Sequence, residues 1–466
     1  MFRYEGEITT KVILDFIAEH KKQLARYKQL QDYYENKNTI LSRQVMPGNS
    51  INNKIANNFA GYITDMATGY FAGRPVNYTQ SGKDKNNLLE IIQEIYDYND
   101  EQDENMELSK QGSIKGKCLE VIYLDANDLD ENGMPRLRFS KQNAEELFCV
   151  YDYSLSAEMY FAVRTYKMKI AGKEIAKIEL YTKNMIAFYE KDGSTLKLIN
   201  AVEHYFGIVP VVEYLNNEEQ LGDFEKVLSG IDAYDKAESD SINNLEYFAN
   251  CYLYLVGFKN TAMKDIDEMR EKRVLLLDES GEAGFLTKQE NSAETENLAN
   301  RIKSDIHKFS LVPDMSDEQF ANNASGIAMA YKLLGLEQLA VKKERKFKKA
   351  LQRRLEIIVN YLNFKGGNFN YKDISLSFTR NIPVNDKENV EIVDMLQKII
   401  SKKTAISKLK MIDNVDVELD NIKKEKDAYV EDMLSKIDLE EQNKADKGNR
   451  TQSVYKAADV GDADES

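Results

Sequence analysis

Residue types able to do covalent, metal or phosphate chemistry are thinly scattered in this sequence. The three histidines, His20, His204 and His307, lie too far apart to suggest an imidazole-based metal cluster. Cys118, Cys149 and Cys251 are odd in number and widely spaced, which argues against a disulfide framework and against cysteine-held zinc. The nearest approach to a phosphate-binding loop, Gly112-Ser-Ile-Lys-Gly116-Lys117-Cys118, is one residue short and ends in a thiol where a hydroxyl should meet magnesium. Neither a dinucleotide fingerprint nor a nucleophile elbow is found. Asp128-Leu-Asp130-Glu-Asn132-Gly133 reads like the first half of a calcium loop, but its twelfth position, which needs a bidentate glutamate, is Phe139. Strand-like runs flank it (Cys118 to Leu124, Leu137 to Phe139), so a hairpin turn accounts better for these residues. No catalytic residue, metal ligand or cofactor is assigned, and the chain is read as a non-enzyme.

Two opposed charge clusters remain. Residues 84–107 carry Asp84, Glu90, Glu94, Asp97, Asp100, Glu101, Asp103, Glu104 and Glu107 against the single cation Lys85. A later helix carries Lys342, Lys343, Arg345, Lys346, Lys348, Lys349, Arg353 and Arg354. The cations could meet the acids of the same or a neighbouring copy. The plainer alternative is two solvated faces, because exposed ion pairs contribute only about 0–1 kcal/mol.

The 466 residues give a mass of 53.5 kDa, room for two or three packed units. Hydrophobic residues make up 42% and charged residues 30%, a globular composition. The longest apolar run, Cys251 to Phe258, is too short to cross a bilayer, and the polar start MFRYEGEITT has no signal core, so a cytoplasmic site of synthesis is expected. The net charge of −15 argues against tight, phosphate-neutralising DNA binding; it suits a wall along which a duplex slides and an acidic protein with no DNA role equally well.

Periodicity places the elements. A helix is expected over the first forty residues, with Ile8, Val12, Phe16 and Ile17 on one face, and a second from about Asn53 to Gly69. From Lys117 to Tyr214 short β-type runs predict a mostly antiparallel sheet. Helical spacing returns at Gly222-Asp223 and extends through Tyr252, about 45 Å of helix. Residues 257–290 are turn-rich, with a strand-like Val274–Leu277. Asn291 and Glu294 then read as a capping box for a helix to Phe309. After the loop from Leu311 to Ser325, a proline-free helix is expected to run to about Phe364, about 57 Å, with Gly335 its weak point. A strand at Ile374–Phe378 and helices capped at Asn385 and near Ser401 follow. The last residues are polar and expected to be disordered.

Several of these segments, in this order, resemble phage portal proteins. Gly207-Ile-Val-Pro210 to Asn217, followed by Gly222-Asp223-Phe224-Glu225-Lys226-Val227 and on to Gly257, is similar to the approach to their first stem helix. Asp317-Glu-Gln-Phe320-Ala-Asn322-Asn323-Ala-Ser325-Gly326 resembles their tunnel loop and the start of the channel helix. Phe378-Thr-Arg380-Asn381-Ile-Pro383 resembles the stretch before their crown. Asn53-Lys-Ile-Ala-Asn57-Asn58-Phe and Gly69-Tyr-Phe-Ala-Gly73-Arg-Pro75 resemble their wing. Ala321 stands where the family pattern has a glycine, and the insert at 257–290 matches only in length and position.

The resemblance implies an α+β portal fold with a mixed α/β wing, a long-helix stem and channel helix, a small clip insert and a helical crown. The parts would be wing 1–222 and 365–384, stem helices 223–256 and 292–312, clip 257–291, tunnel loop 313–325, channel helix 326–364, crown 385–443 and a tail 444–466. The tunnel loop would offer Asp317, Glu318, Gln319, Phe320, Asn322, Asn323 and Ser325 to DNA. The clip would offer Asp265, Glu268, Arg270, Lys272 and Arg273 to a terminase or adaptor. Lys342, Lys343, Arg345, Lys346, Lys349 and Arg353 are candidates for contacts between subunits. Implied partners are copies of itself in a ring, usually of twelve, the terminase large subunit, scaffold and major capsid protein, a head-completion protein and double-stranded DNA, with no membrane. The protein would be made in the host bacterial cytoplasm and end at the portal vertex of the virion. The rival readings are another ring-forming head–tail connector or scaffold, and an acidic metal-dependent nuclease.

Overall fold

In the computed structural model the first helix, α1 (Thr10–Tyr34), starts where Thr9 accepts a hydrogen bond from the Val12 backbone N–H. The structure describes residues 1–44, 51–80, 87–249 apart from 132, 171 and 194, 252–256, 282–286, 292–316, 326–382 and scattered positions, among them 264, 267 and parts of 393–434. The chain divides into two units, Met1–Asn381 and Ile382–Ser466.

In the first unit β1 (Phe2–Arg3) precedes α1, and α2 (Phe59–Ala72), β2 (Asn77–Gln80), α3 (Leu88–Tyr98) and α4 (Glu101–Lys115) follow. The second helix therefore starts six residues later than its apolar spacing suggests. Asn58 caps it by accepting from the Gly61 N–H. The acidic segment is two helices, broken where Asp100 takes a left-handed φ of 51°.

The β-rich region forms as expected, in two sheets. Strands β3 (Lys117–Leu129), β4 (Pro135–Gln142), β5 (Leu147–Tyr151), β6 (Met159–Ile170), β7 (Lys173–Tyr181), β8 (Met185–Asp192), β9 (Thr195–Glu203) and β10 (Val211–Leu215) follow one another. One sheet has the order β1-β5-β6-β7-β8-β9, antiparallel except for the β1–β5 pair; the other is β10-β3-β4. Ile13 and Ile17 of α1 pack on Phe148, Val150, Phe161 and Val163 of the larger sheet. The calcium-like segment is the β3–β4 turn. Asp130 accepts from Met134 N–H and Gly133 has φ 73°, while Phe139 is buried in the core.

Helix α5 (Leu228–Ala249) then leads to β11 (Tyr252–Val256), which pairs antiparallel with β12 (Glu282–Leu286). The expected helix is thus shorter, and its last apolar residues form a strand. Helix α6 (Ser292–Ser310) agrees with the reading; its proposed cap Asn291 and the strand-like Val274–Leu277 lie outside the described residues. The long helix is divided into α7 (Gly326–Lys332) and α8 (Leu334–Phe364). The division falls beside Gly335, where an added Cβ would lie 3.0 Å from the Leu311 carbonyl oxygen. Strand β13 (Ile374–Ser377) pairs with β2.

In the second unit α9 (Lys402–Ile406) begins where Ser401 Oγ accepts from the Thr404 N–H, and residues 417–430 are helical. The proposed cap Asn385 lies outside the described residues. Among the described residues no helix is long and apolar enough to cross a membrane.

Candidate functional site

The long basic helix α8 does two different things on two faces. Its inward stripe, which includes Phe347, Ala350, Leu351, Leu355 and Ile358, is buried in the core of the first unit. Arg354 shares that stripe and is completely buried. Glu120 takes a forked pair of hydrogen bonds from it, Nε to Oε2 at 2.9 Å and Nη2 to Oε1 at 2.6 Å. Its Nη1 reaches Glu101 at 3.2 Å and Asn105 at 2.9 Å. Tyr214 donates to Glu120 at 3.0 Å, and Tyr78 donates to Glu101. The ring of Phe139 faces the guanidinium with its centroid 4.6 Å away. Burial nevertheless raises the pKa of Glu101 above the usual carboxylate range.

Other cations of the cluster are also engaged inside the chain. Lys343 is buried against Asp223 at 2.5 Å and donates to Ser113 Oγ, fixing the approach to α5. Arg353 donates to the backbone oxygens of Val211 and Val209, Lys348 to that of Leu376, and Lys346 pairs with Glu218. Lys342, Arg345 and Lys349 are exposed and have no ion-pair partner within 4 Å among the described residues. Lys343, Lys346 and Arg353, three of the candidates for contacts between subunits, make these contacts within the chain.

Helix α5 carries a polar stripe that holds an extended segment. Asp235 accepts from Asn38 Nδ2 at 2.6 Å and from Asn57 N and Nδ2 at 2.8 and 3.0 Å. Ser239 accepts from Ile55 N–H, Asn243 from Asn53 N–H, and Asp240 pairs with Arg43 at 2.6 Å. Residues 51–58 thereby satisfy their backbone on side chains four residues or so apart along the helix. Sequence reasoning missed this pairing. The signal present was the density of Asn in 52–58 opposite Asp, Ser and Asn at helical spacing in 235–243.

Residues 311–316, which lead out of α6, are held from three sides. Tyr62 of α2 donates to the Pro313 carbonyl at 2.9 Å and accepts from Met315 N–H at 2.8 Å. Asp314 accepts from Ser316 N–H and Oγ and pairs with Lys303 at 2.8 Å. Partial burial pushes its pKa up, but the bonds from Lys303 and Ser316 outweigh that and hold it at about 2. The ring of His307 lies edge-on to Phe59 and Tyr62 and contacts the Val312 carbonyl at 3.0 Å. The next residues, Asp317, Glu318, Gln319, Phe320, Asn322, Asn323 and Ser325, lie outside the described residues, as do Asp265, Glu268, Arg270, Lys272 and Arg273.

Among the described residues no three His, Cys, Asp or Glu side chains are grouped to hold a metal ion, and the hydrogen bonds of His20 and His204 go to the backbone, His204 Nδ1 accepting from the Phe206 N–H. Cys118 and Cys149 are buried and unoxidised, with burial raising both thiols, Cys118 to about 12. What the site offers is a frame that carries helices α5 and α6 and holds residues 311–316 at the end of α6.

Comparison with known proteins gives this frame a family. The curated portal protein of Bacillus phage SPP1 is 27% identical over 456 residues, covering 91% of this chain and 88% of that protein. The portal protein of Clostridium phage phiCD119 is 24% identical over 415 residues, covering 83% and 90%. Among solved structures, a chain from the neck of an empty GTA particle aligns with 75% of this chain and 88% of its own length at 14% identity, with a TM-score of 0.44, too low to bear on the assignment. The family model described as phage portal protein, SPP1 Gp6-like, matches residues 13–432. The chain belongs to the SPP1 Gp6-like family of phage portal proteins.

Proposed function

We propose that this portal-family chain forms a closed ring at one capsid vertex and that double-stranded DNA passes through the ring during packaging and ejection. Membership of the family supports a structural, non-enzymatic role, a homo-oligomeric ring and a place in the virion. The ring of twelve, the terminase large subunit, scaffold, major capsid protein and head-completion protein as partners, and the part boundaries set out above belong to this reading. The observation that carries it from the structure is the placing of exposed apolar side chains. Helix α8 covers its apolar face within the chain, whereas Leu245 of α5, Phe309 of α6, Tyr331 of α7 and Leu334 at the start of α8 stand 66%, 60%, 74% and 51% exposed. Groups of this size along neighbouring helices call for a covering surface, which a second copy supplies.

Residues 313–325 would be the tunnel loop, with 317–325 projecting into the bore. Acidic Asp317 and Glu318 would repel phosphate, while Asn322 and Asn323 would bond it without holding it by charge. The clamped segment 311–316 would fix where the loop leaves the frame. Deleting 317–323, or linking neighbouring loops through introduced cysteines, is expected to leave rings intact and block packaging. Packaging at the parental rate by such variants would remove the loop from the translocation path.

A further inference from the structure

The helix α3 exposes Glu90, Glu94 and Asp97 at i, i+4 and i+7, while Leu88, Ile92 and Tyr96 face the core. Exposed Asp100 and Asp103 continue the acidic edge into α4. No Lys or Arg occurs between residues 86 and 109, so neither α3 nor the first two turns of α4 carry a cation of their own. Among the described residues Glu90 and Glu94 form no ion pair with the rest of the chain.

Helix α8 exposes the opposite pattern. Lys342, Arg345 and Lys349, at i, i+3 and i+7, form an outward stripe bounded by exposed Gln338 and Gln352. The acids of the same helix do not neutralise it. Glu337 and Glu344 are both bound by Arg380, at 3.0 and 2.7 Å. Among the described residues no ion pair joins the two stripes within one chain. Arg354 draws Glu101 and the α4 helix to the inward face of α8, the side opposite Lys342, Arg345 and Lys349.

We propose that the exposed cations Lys342, Arg345 and Lys349 of one subunit dock on the acidic α3 face, Glu90, Glu94 and Asp97, of a second copy of this chain. Each subunit then carries two different, complementary patches, which is what a closed head-to-tail ring requires; a two-fold dimer would need one self-complementary patch. The inference rests on the ring proposed above and adds which faces select the neighbour. Exposed pairs are individually weak, so the expected contribution lies in the rate and register of association rather than in ring stability.

The test uses two variants of the full chain, one with Lys342→Glu, Arg345→Glu and Lys349→Glu, the other with Glu90→Lys, Glu94→Lys and Asp97→Lys. Ring formation is followed by mass measurement at low salt, where the screening length is about 30 Å at about 0.01 M. Each variant alone should assemble about tenfold or more slowly than the parent. An equimolar mixture should recover, because an alternating ring sets acidic α8 against basic α3 and basic α8 against acidic α3. Parental rates for either variant alone, or a mixture no faster than its components, overturn the pairing. Should a triple variant melt early, Arg345→Glu and Glu94→Lys alone carry the same comparison. A parent chain that makes no ring under any condition overturns the ring, and this inference with it.

Discussion

Replacing Arg354 with methionine leaves Glu101 and Glu120 facing each other where neither is more than 2% exposed. An unpaired buried carboxylate is costly, so Arg354→Met should lower unfolding free energy by about 3–5 kcal/mol. Adding Glu120→Leu and Glu101→Leu should recover much of that loss, because all three charges then go together. Denaturant titration of the three chains checks the order; equal stability of Arg354→Met and the parent would show that the cage contributes nothing. His20 gives a pH signature at the same scale. Its ring nitrogen meets the Ala144 carbonyl at 2.8 Å, and burial lowers its pKa to about 4. The unfolded chain, with the ordinary value near 6.5, binds the extra proton first as pH falls. Stability is therefore full above about 6.5 and declines toward pH 4, by about 3 kcal/mol in all. His20→Gln should flatten that slope, read as melting temperature against pH; an unchanged slope would contradict the assignment. These roles differ in how far the sequence shows them. The absence of a catalytic constellation can be read from residue types alone. Burial of Arg354 cannot, because eight cations share one helix and only the positions of Glu101 and Glu120 single one out.

Helix α5 and residues 51–58 form one element pair whose partners lie about 180 residues apart in sequence. Removing the acceptor at Asp235 takes the partner from the Asn57 N–H and side-chain amide and leaves the Asn38 amide only the Asn57 carbonyl. Asp235→Ala should cost about 2 kcal/mol and speed hydrogen exchange of residues 53–57 selectively. Unaltered protection there, with normal exchange elsewhere, would rule out the anchoring role. Local patterns explain why α1, α6 and the strands β3 to β10 are legible: each has its own apolar period and turn residues. They also explain two misplacements. Residues 51–58 contain apolar groups at helical spacing, yet their N–H groups find better partners on α5 than within a helix of their own. Tyr252–Val256 continues the helical pattern of α5, but Tyr and Val suit a strand, and the paired strand Glu282–Leu286 is too far along the chain for periodicity to see.

Across the whole molecule, the long helices and the ordered motif resemblance point to a phage portal, and the family match over residues 13–432 establishes that membership. The premise behind the ring changed with the structure. The longest helix does not wait for a neighbour, since α8 is the core helix of the first unit; exposed apolar groups on α5, α6, α7 and the first residues of α8 are what a second copy would cover. A single image answers the central claim. Electron microscopy of the purified chain at high concentration, with scaffold protein supplied if needed, should show rings with a central opening whose mass is an integral multiple of 53.5 kDa. Monomers or dimers alone, across the full concentration range and with scaffold present, would contradict the ring and the channel built on it.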